Sequence, residues 1–193
     1  MKNRFNIDFK ALRRLEEIRT YGHMDTFESI RTKLDIREFS SGDVSQEIKL
    51  KVLEAARLTG TGLNTQHWRF IVAEDKENIK KLADDSTSGG WVVNCNFAII
   101  ILTNPKYDFH MIDAGRVLQN MQLTAWNYGV ASGIFTGIKE DKFRKDFEIP
   151  PELNVTAIIG FGYPLRKLTG GGKNRLSLRE LVFNEKYGNL NTA

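Results

Sequence analysis

The sequence is poor in the residues that usually announce a function. Cys95 is the only cysteine. No disulfide can form within the chain, and a reducing, cytoplasmic setting is expected. The histidines are His23, His67 and His110, and their spacing matches no metal site. No apolar run approaches the roughly 18 residues of a membrane-spanning helix. The longest, FAIIIL at 97–102, has the length of a buried strand. The opening residues MKNRFNIDFK contain no apolar signal segment. In that setting the Asn154-Val155-Thr156 sequon is accidental. No Gly-x-Ser-x-Gly elbow occurs. GFGYPL at 160–165 is not a dinucleotide fingerprint, because Pro164 interrupts it. GGGKN at 170–174 lacks the upstream glycine and the hydroxyl residue that a phosphate loop needs. Cys95, next to an apolar run, reads as a packed thiol rather than a nucleophile. With no evident nucleophile and no metal site, any chemistry falls to a bound cofactor.

What is present is one domain's worth of chain: 193 residues, 41% hydrophobic and 27% charged, enough to bury a core. The net charge of +4 is unevenly spread. Residues 1–22 carry net +3 and residues 164–193 net +4, which leaves the middle at −3. A chain that is basic only at its ends argues against a nucleic-acid partner. Two basic ends could still meet one anionic group, although solvated surface charge is the simpler account.

Periodicity places the elements. DFKALRRLEEIRTY (8–21) has apolar residues at 9, 12, 15 and 18 and reads as a short helix. Asp25 and Glu28 have capping-box spacing, and Met24 could open the domain proper. Residues 1–23 are therefore expected to be a helical extension and 24–193 the domain. RTKLDIREF (31–39) reads as a loop, and Asp43 with Gln46 starts a helix to about Leu58. HWRFIVAE is expected as a strand, KENIKKLADD as a helix and FAIIILT as a buried strand. A long helix follows from about Tyr107 to Tyr128, with Ile112, Val117, Leu118, Met121, Ala125 and Tyr128 on its buried face and Gly129 as its stop. VASGIFTG is extended, KEDKFRKDFEI is a short helix before Pro150-Pro151, and VTAIIGFGYP is a strand. LTGGGKNR is a loop and SLRELVF a last turn of helix. There is no internal repeat and no regular βαβ spacing, so the class is α+β rather than a doubly wound sheet.

Four polar islands stand between these elements: RTKLDIREF, GTGLNTQHW (60–68), ASGIFTG (131–137) and GGGKNR. Each alone is most simply a surface loop. Together they offer cations for a phosphate, backbone amides that glycine leaves open to close approach, and side-chain amides for a ring edge.

The order of these islands resembles the FMN-dependent nitroreductase family. LDIREF is similar to that family's opening Arg-x-Ser-x-Arg/Lys-x-Phe segment, with Lys33, Asp35, Arg37 and Phe39 at the matching positions. ARLTGTGLNTQHWRFIVAE resembles its Ala-Arg-x-Pro-Ser-x-x-Asn-x-Gln-Pro-Trp-x-Phe segment, the most specific element of the match. DAGRVLQNMQLTAWNYGVASG (113–133) resembles its central helix and Gly-rich turn, and IIGFGYP and KNRLSLRELV its closing strand and basic loop. The likeness runs from about residue 26 to residue 183.

The resemblance implies an α+β fold with a central, mostly antiparallel sheet flanked by helices. It also implies an intertwined homodimer with FMN at the subunit interface and NAD(P)H as electron donor. By the same likeness Lys33, with Leu34 and Asp35 beside it, lies on the phosphate side. Arg37 lies near the flavin's pyrimidine edge and tunes it. Lys173 and Arg175 close on the phosphate, and the backbone of Ser132, Gly133 and Ile134 lines one flavin face. Gly60, Thr61, Gly62, Leu63, Asn64 and Gln66 reach the partner's flavin, while Trp68 anchors the strand. The implied acceptor is a nitroaromatic, a quinone or a related small molecule, with no membrane partner.

Three departures stand out. Asp35 replaces a small polar residue and is expected to face a ribityl hydroxyl or an arginine. Thr59-Gly60-Thr61-Gly62 replaces a Pro-Ser turn, and His67 replaces the proline before tryptophan. Two other readings stay open. One is a different reaction of the same family (reductive dehalogenation, flavin destruction or azoline oxidation), for which DDSTSGGWVVN (84–94) is the only short candidate lid. The other is a flavin- or nucleic-acid-binding module without turnover.

Overall fold

The computed structural model describes residues 24–166 and 173–189. The expected N-terminal extension and its helix lie outside the described residues. The chain runs through α1 (Thr26–Thr32), α2 (Gln46–Arg57), a 3₁₀ turn (Gly62–Asn64), β1 (Arg69–Ala73), α3 (Lys76–Asp84) and a second 3₁₀ turn (Gly90–Asn94). It continues through β2 (Phe97–Thr103), α4 (His110–Asn127), β3 (Ala131–Phe135), α5 (Glu140–Asp146), β4 (Asn154–Gly162) and α6 (Leu178–Leu181). The four strands form one sheet in the order β1-β2-β4-β3, with every neighbouring pair antiparallel. The class is the expected α+β.

Local chemistry accounts for the boundaries. The Asp25 side chain accepts from the Glu28 N–H at 3.0 Å and opens α1. α2 is capped by Ser45, which accepts from the Ile48 N–H, and not by Asp43. Asp43 instead accepts from the Asn96 amide, since Ser45 already occupies the position next to the first helical residue. Asp75 caps α3, and Gly129, at φ +72°, ends α4 in the left-handed conformation that glycine adopts without steric cost. Glu180 closes a capping box on Ser177 at the start of α6.

The core has two faces. Phe97, Ile99 and Ile101 of β2 pack with Trp68, Ile159 and Phe161 against α2 and α4. Ala98, Ile100 and Leu102 face the opposite way, toward Ile79 and Leu82 of α3, Val92, and Phe143 of α5. Both faces are covered, so all seven residues of β2 are buried and its sequence shows no polar alternation. Each fully buried side chain of this size contributes about 1.5–3 kcal/mol.

The buried stripe of α4 differs from the expected one. Val117, Met121 and Ala125 are buried, but Ile112 is 67% exposed and Tyr128 is only partly covered. In their place the helix buries two polar residues, Asp113 and Gln122. The candidate lid is anchored from beneath. Asp85 and Val92 are fully buried, Ser86 pairs with Ile138, and the Thr87 N–H bonds the Gly137 carbonyl. A Cβ on Gly89 would lie 2.6 Å from the Phe135 ring. Asp84, Thr87, Ser88, Gly90, Val93 and Asn94 remain exposed between these anchors. No helix among the described residues is long and apolar enough to cross a membrane.

Candidate flavin site

After α1 the chain does not wander as a free loop. Residues 35–40 form a strap along the open edge of β3 and the end of β4. Asp35 pairs with Ser132 and Phe39 with Pro164. The Ile36 N–H bonds the Ser132 carbonyl at 2.9 Å, and the Ser40 N–H bonds the Tyr163 carbonyl at 2.8 Å. α1 is held on the C-terminal end of α4, where Ser29 Oγ donates to Asn127 and Trp126 Nε1 donates to Thr32 Oγ1. This docking sets Lys33 and Arg37 beside β3.

Lys33 Nζ sits 2.7 Å from Asp35 Oδ1, with the lysine side chain only 10% exposed. Gln122 Nε2 donates to the same Asp35 oxygen at 3.1 Å and to Ser132 Oγ at 2.9 Å. Asp35 therefore faces a lysine and a glutamine within the chain, not an arginine. The reason is tertiary: α4 delivers the Gln122 amide from 87 residues away. Burial is the largest single influence on Asp35 and opposes its ionisation, but the Lys33 hydrogen bond and charge, the Gln122 hydrogen bond and the Arg37 charge together outweigh it, and the carboxyl ends below its usual range. A depressed carboxyl pKa stabilises the folded state above the unfolded value of about 3.9 and loses that stabilisation as pH falls through the folded value. The tie is thus intact at neutral pH.

Lys173 completes the cluster from the far end of the chain. Its Nζ donates to the Ile30 carbonyl at 2.5 Å, one of the last carbonyls of α1. Partial burial, then the charges of Arg175 and Lys33, hold the Lys173 ammonium below the usual lysine range. The two lysines meet at the C-terminal end of α1, where Lys33 is the cap residue and Lys173 bonds the Ile30 carbonyl. Three cations and one carboxylate leave this corner at formal +2. A phosphate monoester carries about −1.5 to −2 at neutral pH, so the donor set suits one terminal phosphate.

Arg37 lies a short step along the strap. Its guanidinium stands 5.9 Å over the Trp91 ring. Asp35 is taken up by Lys33, and Glu38 faces Arg166 at 3.8 Å. Trp91 rests on a bare patch of sheet, because Gly133 and Gly160 are register partners across β3 and β4. A Cβ on either glycine would come within 2.9 Å of the indole. Ser132 is buried behind the strap, with its hydroxyl and carbonyl both bonded within the chain. By antiparallel alternation Ile134, two residues on, turns its N–H and C=O to the same open edge.

The GTGLN loop sits elsewhere. Its anchor is Asp113, nine residues before Gln122 on α4. At about 1.5 Å and 100° per residue, the two lie roughly 13 Å apart along the helix and on opposite sides of it. The loop is exposed, with Leu63 at 90%. Leu63, Asn64 and Gln66 all have positive φ, at 51°, 53° and 46°. Gln66 Nε2 leans on Asn64 Oδ1 at 3.3 Å, so the two amides face each other and not the chain's own cations. Trp68 is buried in the core, as an anchor must be.

Cys95 is ruled out as a nucleophile, since burial pushes its thiol up to about 12. Among the described residues no cluster of His, Cys, Asp and Glu could hold a metal. Sequence reasoning missed Gln122, Asp113 and Trp91. The first two carried a usable signal, as polar residues on the apolar stripe of an amphipathic helix.

The family model described as "Nitroreductase family" matches residues 30–95 and 89–163. A protein of Archaeoglobus fulgidus named "Putative NADH dehydrogenase/NAD(P)H nitroreductase" is 32% identical over 145 residues, covering 70% of this chain and 83% of that one. A solved nitroreductase family protein of Clostridium difficile 630 superposes with a TM-score of 0.75 at 27% identity, covering 84% and 99% of the two chains. A "putative nitroreductase" of Desulfovibrio desulfuricans, solved in complex with FMN, superposes with a TM-score of 0.75 at 25% identity, covering 85% and 98%.

Proposed function

The chain belongs to the nitroreductase family, and from that premise we propose that it is a homodimeric FMN oxidoreductase. It takes electrons from NAD(P)H and passes them by a ping-pong route to a nitroaromatic, quinone or related acceptor. The observation that carries this reading is the convergence of Lys33, Lys173 and Arg175, drawn from both ends of the chain to one corner whose charge suits a phosphate monoester.

When bound, FMN supplies the two-electron chemistry, accepting hydride from the nicotinamide and returning it to the acceptor. The chain's part is binding, orientation and electrostatics. Lys33, Lys173 and Arg175 hold the phosphate, and the Asp35–Gln122 tie fixes Lys33 in place. Arg37, steadied by Trp91, would lie toward the ring's pyrimidine edge. There its charge favours the anionic, reduced form. Among the described residues no side chain in this region is placed as a proton donor, and we assign that role to water.

Two features support a dimer. The GTGLN loop and the cation corner stand on opposite sides of α4, so one flavin can touch both only if the loop comes from a second copy. Large apolar side chains also stand exposed on this side: Met111 and Ile112 of α4 at 57% and 67%, and Leu58 after α2 at 68%, among the polar Arg116, Gln119 and Asn120. Such side chains would be covered in a dimer.

The deciding experiment is denaturation of purified protein after FMN loading, followed by anaerobic titration with NADH and with NADPH. FMN release and bleaching by a nicotinamide support the reading. FAD release, or no uptake of FMN, overturns it. Flavin that binds but is not bleached by either nicotinamide leaves a binding module without turnover.

A second prediction concerns Arg37→Gln, which keeps hydrogen bonding and loses the charge. A differential interaction of about 1.5–3 kcal/mol, the range for hydrogen bonds to charged groups, corresponds to roughly 30–65 mV over two electrons. The flavin potential is expected to fall by that amount while FMN is retained. A variant with wild-type potential and wild-type bleaching rate would remove Arg37 from the mechanism.

A further inference from the structure

The loop at residues 62–67 has a conformation that its own bonds do not explain. Three non-glycine residues, Leu63, Asn64 and Gln66, are held at positive φ. L-residues adopt that region only when their surroundings impose it. The bonds inside the loop are few: the Asn64 N–H to the Thr61 carbonyl, the Thr65 N–H to the Gly62 carbonyl, and the Gln66 N–H to Thr61 Oγ1, each at 3.1 Å. The constraint comes from beneath, from the Asp113 side chain, which is 2% exposed.

Asp113 Oδ2 accepts from the Gly62 N–H at 3.0 Å and meets His67 Nε2 at 3.2 Å. One oxygen therefore holds both ends of the loop. The proton assignment follows from the other ring nitrogen. The Asn104 N–H points at His67 Nδ1, so Nδ1 accepts and Nε2 carries the hydrogen given to Asp113. Arg116 Nη1 donates to the second oxygen, Oδ1, at 3.3 Å. The His67 ring is itself fixed, with Tyr107 at 5.2 Å and Phe109 at 6.1 Å between centroids. Gly62 is the only residue type that fits its position, since a Cβ there would lie 2.6 Å from the Phe109 ring. A buried carboxylate with its acceptor sites taken up by loop donors is a rigid anchor, because each broken bond would leave a buried charge short of a partner.

We propose that Asp113 is a positioning residue: its buried carboxylate clamps both ends of the 62–67 loop and so fixes the surface that the loop offers to a flavin held by a second copy of the chain. Leu63 and the Asn64–Gln66 amide pair are the groups it presents. The clamp uses His67, the residue that replaces proline in this chain. The part played toward flavin rests on the function proposed above, whereas the clamp is a property of the chain alone.

The test uses full-length protein, Asp113→Asn and, as a milder second variant that leaves the carboxylate intact, His67→Leu. Amide hydrogen exchange without flavin reads the clamp. FMN affinity, and KM against kcat with NAD(P)H, read its consequence. In both variants exchange at Gly62 and at residues 64–67 is expected to speed up at least tenfold, with β2 and residues 117–125 of α4 unchanged. FMN affinity is expected to fall about tenfold and KM to rise more than kcat falls. Unchanged loop exchange in both variants, or exchange that rises equally in β2, overturns the clamp. Faster loop exchange with wild-type FMN affinity and kinetics overturns the positioning role while leaving the clamp. Wild-type protein that takes up no FMN overturns the parent reading, and the exchange data still decide whether the clamp exists.

Discussion

Replacing Lys173 and Arg175 together by alanine is expected to weaken FMN binding by about a hundredfold or more while the protein stays folded. Hydrogen bonds to charged groups contribute about 1.5–3 kcal/mol each, and every 1.4 kcal/mol is a factor of ten. Two independent contacts would give roughly 10²- to 10⁴-fold. The lower end applies here, because Arg175 is exposed and the two neighbours are not additive. Lys173 also bonds the Ile30 carbonyl, so α1 loses one tie in the variant. The expected change in Tm is small because α1 keeps its Ser29–Asn127 and Trp126–Thr32 contacts. Titration with FMN at low and at raised salt is the check. The wild type should lose affinity with salt more steeply than the variant, since two phosphate-facing charges are gone. Flavin retention equal to wild type after gel filtration would show that residues 173–175 are surface and nothing more.

Gly133→Ala should disturb the site without removing any group that could touch the cofactor. The added Cβ would fall 2.6 Å from the Ile36 carbonyl, 2.9 Å from the Trp91 ring and 3.3 Å from Arg37 Cγ. Neither side can give way cheaply. Ile36 is tied to Ser132 by its N–H, and the indole is confined by Gly160 and the Phe39 and Phe135 rings. Overpacking of this kind costs about 1–3 kcal/mol. For a chain of this size that is a fall of roughly 2–12 °C in Tm. The strap carrying Arg37 should shift as well, lowering both FMN affinity and the flavin potential. Gly90→Ala is the control, because a Cβ there meets nothing within 4 Å. If Gly133→Ala melts with the wild type and binds FMN unchanged, the strap is softer than its contacts imply.

The cations of the site could be read in the sequence, but their partners could not. Lys33, Arg37, Lys173 and Arg175 are conspicuous because charged residues between apolar runs stand out. Which of them meet is decided by α1 docking on α4, through contacts such as Ser29–Asn127 that join residues 98 apart. Asp35 shows the limit most clearly. Beside a phosphate site, one carboxylate suggests an arginine or a sugar hydroxyl. The residues that take it up are Lys33, two positions away, and Gln122, which looked like an ordinary member of a long helix.

Local chemistry by itself determined where helices and strands form. Periodicity, the Asp25 cap, the Gly129 stop and the unbroken β2 run act over a few residues, and those forces are written in adjacent letters. The fold class followed from them. Only the tertiary structure decided that Asp85 and Val92 anchor residues 84–94 in the core, that Ile112 faces outward, and that Asp113 and Gln122 are buried. Burial depends on what lies opposite, and a polar side chain is tolerated inside only where a distant donor or acceptor meets it. The same reason governs the GTGLN loop. Its glycines announced an unusual backbone, but its shape comes from a carboxylate 51 residues away, on a helix whose opposite side carries the other half of the site.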